Sequence, residues 1–110
     1  MLRAVICLAV LNVAVARSAA AQDAKSEGEK VFAAQKCALC HSIDGKGNLK
    51  GPLDEVGSQL SAKEIREWIT DSKGMTAKTK PIRKPEMKAF TLPKAEVDAL
   101  VAYLSTMKKT

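Results

Sequence analysis

The sequence predicts an all-α domain with three main helices. Two capping boxes, Ser26–Glu29 and Ser61–Glu64, mark the starts of the first and second helices. The last helix follows Pro93 and is predicted by apolar residues at the i, i+3, i+4, i+7 spacing: Val97, Leu100, Val101 and Leu104. Strand-like alternation and internal repeats do not stand out anywhere in the chain, so an all-α class is favoured.

The central motif is C-x-x-C-H, formed by Cys37, Cys40 and His41, and it is the attachment signature of a c-type haem. On one helical turn the two cysteines point to the same side, so both sulfurs can bond one porphyrin, and His41 follows where its imidazole reaches the iron. A redox or zinc motif would need a βαβ context or further ligands, and the only other cysteine is Cys7. The motif therefore predicts one covalent haem c, with Cys37 and Cys40 as attachment residues and His41 as iron ligand.

The N-terminus reads as a secretory signal peptide. A basic start at Arg3 precedes an apolar run, and small residues up to Ala21 form an A-x-A cleavage site. The run is short for a membrane span and Arg17 interrupts it, so no stable membrane insertion is expected. We predict a signal peptide at 1–21 and a haem domain at 22–110, located in the periplasm.

Charge and aromatic content narrow the classes of function that the chain can have. The formal net charge is +6, but no nucleic-acid recognition motif accompanies it, and secretion argues against that role. Only four residues are aromatic, which leaves a small core that a bound porphyrin would complete. The haem is therefore expected to be structural as well as functional.

The elements follow in order along the chain. The first helix is predicted from about Glu27 to Lys36, with Gly28 offset by close helix packing. Residues 43–57 are rich in Gly, Lys, Asp and Asn, a composition that predicts a loop. The second helix buries a stripe that includes Trp68, which places Trp68 at the core or the haem pocket.

A second long connection spans residues 73–88 and is strongly basic, with six cations against one acid. Its cations are Lys73, Lys78, Lys80, Arg83, Lys84 and Lys88. Haem iron bound by one histidine takes a second ligand for electron transfer or keeps an open face for gas binding or catalysis. With no second histidine, the candidate ligands are Met75, Met87 and Met107. Pro85 stiffens the chain two residues before Met87 and mildly favours Met87 as the ligand.

The mature chain resembles the small monohaem class I cytochromes c. The likeness rests on the Cys37–His41 motif, the Gly51-Pro52-Leu53 segment, the Trp68 helix, the methionine loop and the final helix. The resemblance implies Met87 as the second iron ligand and the Pro52 carbonyl as acceptor of a hydrogen bond from His41 Nδ1. It also implies that Gly28 and Phe32 pack against Leu100 and Tyr103.

The sequence is interpreted as a soluble periplasmic electron carrier rather than an enzyme. It would be a monomer that shuttles single electrons between redox proteins, and its basic loop predicts partners with an acidic docking surface. Two alternatives stay open: a cytochrome subunit bound permanently to a dehydrogenase or oxidase, and a haem protein with an open distal site for gas binding or catalysis.

Overall fold

Five α-helices and one small hairpin make up the part of the chain that the computed structural model describes, residues 12–110, with side chains from Asp23 onward. The helices are α1 (Asn12–Ala34), α2 (Val56–Gln59), α3 (Ala62–Thr70), α4 (Ser72–Thr79) and α5 (Lys94–Ser105). A 3-10 turn at Cys37–Leu39 and the antiparallel strands β1 (Ser42–Ile43) and β2 (Lys46–Gly47) connect α1 to α2.

Helix α1 begins far upstream of the predicted start, so the capping box at Ser26 is wrong: Ser26 lies inside the helix. Alanines at 19–21 and 24 are strong helix formers and carry the helix through this region. The helix ends at Ala34, and Lys36 then adopts the left-handed conformation (φ 57°) that turns the chain into the C-x-x-C-H motif. Most of the predicted signal peptide, residues 1–11, lies outside the described residues, and position 21 lies within α1.

The core forms where α1 and α5 cross. A Cβ at Gly28 would collide with the Tyr103 Cβ and the Ala99 carbonyl, so only glycine permits this approach. Phe32 meets Tyr103 edge to face, with ring centroids 6.1 Å apart. The predicted packing of Gly28 and Phe32 against Tyr103 is therefore confirmed.

Helix α3 completes the core through Ile65 and Ile69, which are 2% and 3% exposed. Its predicted capping box is confirmed: the Ser61 hydroxyl accepts from the Glu64 amide and the Glu64 carboxylate accepts from the Ser61 amide, each at 3.1 Å. An ion pair between Arg66 and Asp98 (2.6 Å) joins α3 to α5.

Two predicted connections contain regular structure. Residues 43–57 include β2 and the start of α2, and residues 72–79 form α4. Asp71 starts α4 by accepting a hydrogen bond from the Gly74 amide, and left-handed Lys80 followed by Pro81 ends it. Because α4 has no amphipathic stripe, periodicity could not reveal it.

Candidate haem site

The C-x-x-C-H motif folds as one tight turn. The Cys37 carbonyl accepts hydrogen bonds from the amides of Cys40 (3.1 Å) and His41 (2.9 Å). This places both thiols and the imidazole on one short segment directly after α1. Neither cysteine of the motif forms a disulfide within the described residues, and burial raises the pKa of the Cys37 thiol.

His41 is oriented by a backbone carbonyl. Its Nδ1 lies 3.1 Å from the Gly51 carbonyl, and since a carbonyl only accepts, Nδ1 carries the proton and Nε2 presents its lone pair. Burial, and to a lesser degree the charge of Arg83, lowers the pKa of His41 against the opposing effect of the Gly51 hydrogen bond. The ring is therefore neutral near pH 7, the state that binds a metal.

The prediction for Pro52 is corrected, because the acceptor is the Gly51 carbonyl. An isolated parallel bridge pairs Ser42 with Pro52, and through it the Ser42 amide donates to that same carbonyl at 3.0 Å. His41 directly precedes Ser42, so its ring reaches the acceptor that the bridge has already placed. Pro52 itself is exposed and does not line the cavity described next.

A cavity of about 470 Å³ opens beside this turn and is lined mostly by apolar side chains. Cys37, Cys40 and His41 lie on its wall, together with Trp68 from α3 and Met87 from the loop before α5. Helices α3 and α5 contribute four further apolar side chains to the lining: Ile65, Ile69, Leu100 and Leu104. The structure thus brings the predicted site residues, apart from Pro52, to one cavity.

The methionines take three different positions. Met87 is half-buried and lines the cavity, whereas Met75 is 5% exposed within α4 and is not part of the lining. Met107 packs against the core after the end of α5. The Met87 loop is fixed to α3 by a hydrogen bond from the Phe90 amide to the Ile69 carbonyl (3.1 Å).

Sequence reasoning missed Thr76, which lines the cavity with a buried hydroxyl that has no hydrogen-bond partner among the described residues. Two other helical threonines satisfy their hydroxyls four residues back, Thr70 on the Arg66 carbonyl (2.9 Å) and Thr79 on the Met75 carbonyl (2.8 Å). An unpartnered buried hydroxyl is costly, and the position of Thr76 on the cavity wall would let a polar atom of a bound group satisfy it. No pattern in the sequence marks this residue.

This donor set fits a haem: two thiols on one turn, a neutral imidazole, a methionine thioether, apolar walls and an unpaired hydroxyl. The family model described as Cytochrome c matches residues 26–108. The chain therefore belongs to the cytochrome c family, whose members bind covalently attached haem c and transfer electrons through it. Comparison with curated proteins and with solved structures gave no match.

The family fold is confirmed as all-α, and family membership implies redox partners. Members are generally electron carriers rather than enzymes. Within the described residues, no helix combines the length and apolar character that crossing a membrane requires.

Proposed function

We propose that this protein is a single-electron carrier in which Cys37 and Cys40 attach the haem and His41 and Met87 bind its iron. The observation that carries the proposal is that all four side chains line one apolar cavity, while Met75 and Met107 do not. When bound, haem c supplies an iron that gains and loses one electron.

The chain's own residues keep that exchange simple. Gly51 holds the proton on His41 Nδ1, which fixes the ring orientation and increases the basicity of Nε2. Met87 offers a thioether that favours reduced iron relative to a second histidine. The apolar residues of α3 and α5 would limit the access of water to the bound group, and His41 and Met87 together would leave its iron no free position for a substrate.

The ligand assignment is tested with Met87→Ala, using Met75→Ala as the matched control. Met87→Ala should keep the haem attached but abolish the far-red absorption band that a methionine–iron bond gives in oxidised class I cytochromes. Met75→Ala should retain the band although it opens a cavity in α4. Loss of the band in Met75→Ala alone would reverse the assignment, and a wild-type protein without the band would favour the open-site alternative.

Attachment is tested by denatured mass. The wild-type chain should exceed its polypeptide mass by one haem, and Cys37→Ala or Cys40→Ala should reduce haem retention under denaturing conditions. A haem that acid acetone extracts completely from the wild-type protein would contradict the attachment.

For location, the proposal is a soluble periplasmic monomer released after residue 21. The basic start, apolar run and small-residue site support it. Cleavage there would shorten α1 but would retain the contacts that Gly28 and Phe32 make with Tyr103 of α5. N-terminal sequencing of the periplasmic fraction tests the cleavage site, and gel filtration with and without cell extract separates a free carrier from a permanently bound subunit.

The partner proposed is a redox protein with an acidic docking surface. The basic surface, defined as Lys73, Lys78, Lys80, Arg83, Lys84 and Lys88, is exposed except at Arg83, and both Arg83 and Lys88 line the cavity. Charges of this kind increase the association rate more than the affinity and act over a Debye length of about 8 Å at physiological salt.

Electron transfer to an acidic acceptor should therefore slow as salt rises, and it should be slower still for a Lys84→Glu, Lys88→Glu double variant. A Lys30→Glu, Lys63→Glu variant makes the same charge change at exposed positions outside the basic surface. Equal rates for the two double variants, or rates independent of salt, would show that the basic surface does not steer the partner.

A further inference from the structure

Asn48 lies directly after β2, between the C-x-x-C-H turn and the segment that orients His41. Its backbone amide donates to the carbonyls of both Ala38 and His41, each at 3.0 Å. Its own carbonyl accepts a hydrogen bond from the Gly51 amide at 3.1 Å. The backbone of this one residue thus connects the turn of the haem motif to Gly51, whose carbonyl accepts from the His41 ring.

The side chain of Asn48 makes two further hydrogen bonds. Its Nδ2 donates to the Leu39 carbonyl at 3.1 Å, and its Oδ1 accepts from the Lys50 amide at 3.0 Å. Because a carbonyl only accepts and a backbone amide only donates, this orientation of the side-chain amide is the one that satisfies both partners. Together with its backbone, Asn48 satisfies the carbonyls of three residues of the motif: Ala38, Leu39 and His41.

Gly47, the residue before Asn48, allows the chain to approach the turn this closely. Its φ of 107° lies in the region that favours glycine, and a side chain there would collide with the His41 carbonyl and crowd Ala38. The chain therefore passes directly against the turn at this point. That approach brings the Asn48 amide to its two acceptors.

A local turn alone does not account for the Asn48 side chain. Asparagine in loops commonly accepts from the backbone amide two residues on, and Asn48 does so from Lys50. Serine or aspartate would serve that purpose as well. The bond from Nδ2 to Leu39 needs an amide, because an ionised aspartate has no donor and a serine hydroxyl is one bond closer to the backbone. The contact with the haem motif therefore requires asparagine, whereas the local turn does not.

We propose that Asn48 is a positioning residue that holds the C-x-x-C-H turn against Gly51 and thereby preserves the hydrogen bond from His41 Nδ1. That bond increases the basicity of Nε2, and a more basic ligand favours oxidised iron. When the Asn48 contacts are lost, the bond should weaken and the reduction potential should rise. The inference rests on His41 binding the iron of haem c, as proposed above.

The test compares the wild-type holoprotein with Asn48→Ala, Asn48→Ser and Leu49→Ala. All three substitutions leave the net charge unchanged, so a difference in potential cannot arise from a lost or added charge. Asn48→Ser keeps a hydroxyl that can accept from the Lys50 amide but removes the donor to Leu39. Leu49→Ala is the matched control, because Leu49 is the next residue, is 70% exposed and has no polar side-chain atom.

Both substitutions of Asn48 should lower the oxidised-to-reduced ratio at fixed potential roughly threefold, which is a rise of about 28 mV for one electron at about 59 mV per tenfold change. Exchange of the His41 Nδ1 proton with solvent, followed by NMR of the reduced protein, should become roughly tenfold faster. Leu49→Ala should change neither quantity.

A purely structural role of Asn48 would lower the melting temperature of its variants but leave the potential and the proton exchange as in the wild type. That result would overturn the inference. An Asn48→Ser protein that matches the wild type in both measurements would also overturn it, because the local turn would then suffice.

Haem content and the methionine–iron band are recorded for every protein. A wild type without covalent haem would contradict the proposed function, whereas an intact wild type with unchanged Asn48 variants would contradict only the role of Asn48. If Asn48→Ala retains too little haem for the measurements, Asn48→Ser decides the outcome.

Discussion

Gly28→Ala should destabilise the protein although alanine is the better helix former. In an unpacked helix the change would stabilise by about 0.5–1 kcal/mol. Here the added methyl group meets the Tyr103 Cβ and the Ala99 carbonyl of α5, and neither can rotate away. The helices must separate, and overpacking of this kind costs roughly 1–3 kcal/mol.

The net loss should be about 1 kcal/mol, because the middle of the range of steric costs exceeds the middle of the range of helix-propensity gains by that amount. For a domain of this size, each 1 kcal/mol lowers the melting temperature by about 4–8 °C. The assay is thermal unfolding of the holoprotein followed by circular dichroism. Phe32, whose ring lies on Tyr103, should also lose its edge-to-face contact.

Ser26→Ala is the matched control, since Ser26 is an exposed residue of the same helix. It should leave the melting temperature unchanged or raise it slightly, as helix propensity alone predicts. A Gly28→Ala protein as stable as Ser26→Ala would refute the close helix crossing as the reason for glycine at this position.

Three further substitutions should change the stability of the protein, each because it alters a single contact. Gly51→Ala should cost roughly 1–3 kcal/mol in denaturant unfolding, because the Cys40 carbonyl cannot yield, whereas exposed Lys50→Ala should be neutral. Thr76→Val should lower holoprotein stability by about 1 kcal/mol if its hydroxyl bonds the haem, and a gain in stability would show that the hydroxyl stays unpaired. Ser61→Ala removes the cap of α3 and should cost about 1 kcal/mol, with no effect expected from the exposed change Lys63→Ala.

Features that depend on neighbours in the chain could be read from the sequence. The attachment motif is contiguous because one turn must present both sulfurs and the imidazole, and the structure folds it as such a turn. The α3 cap and the α5 stripe are equally local, and both helices formed where periodicity placed them. The all-α class, the family and the haem followed from these signals.

Features that depend on distant segments required the tertiary structure. Pro85 and the family resemblance favoured Met87, but only the fold shows that Met87 lies on the cavity wall while Met75 is buried within α4. The carbonyl that accepts the His41 hydrogen bond is that of Gly51 and not that of Pro52, because the bridge between Ser42 and Pro52 sets its position. This pairing has no local signature in the sequence. The ion pair between Arg66 and Asp98 likewise depends on the fold, because electrostatic partners are set by distance in space rather than along the chain.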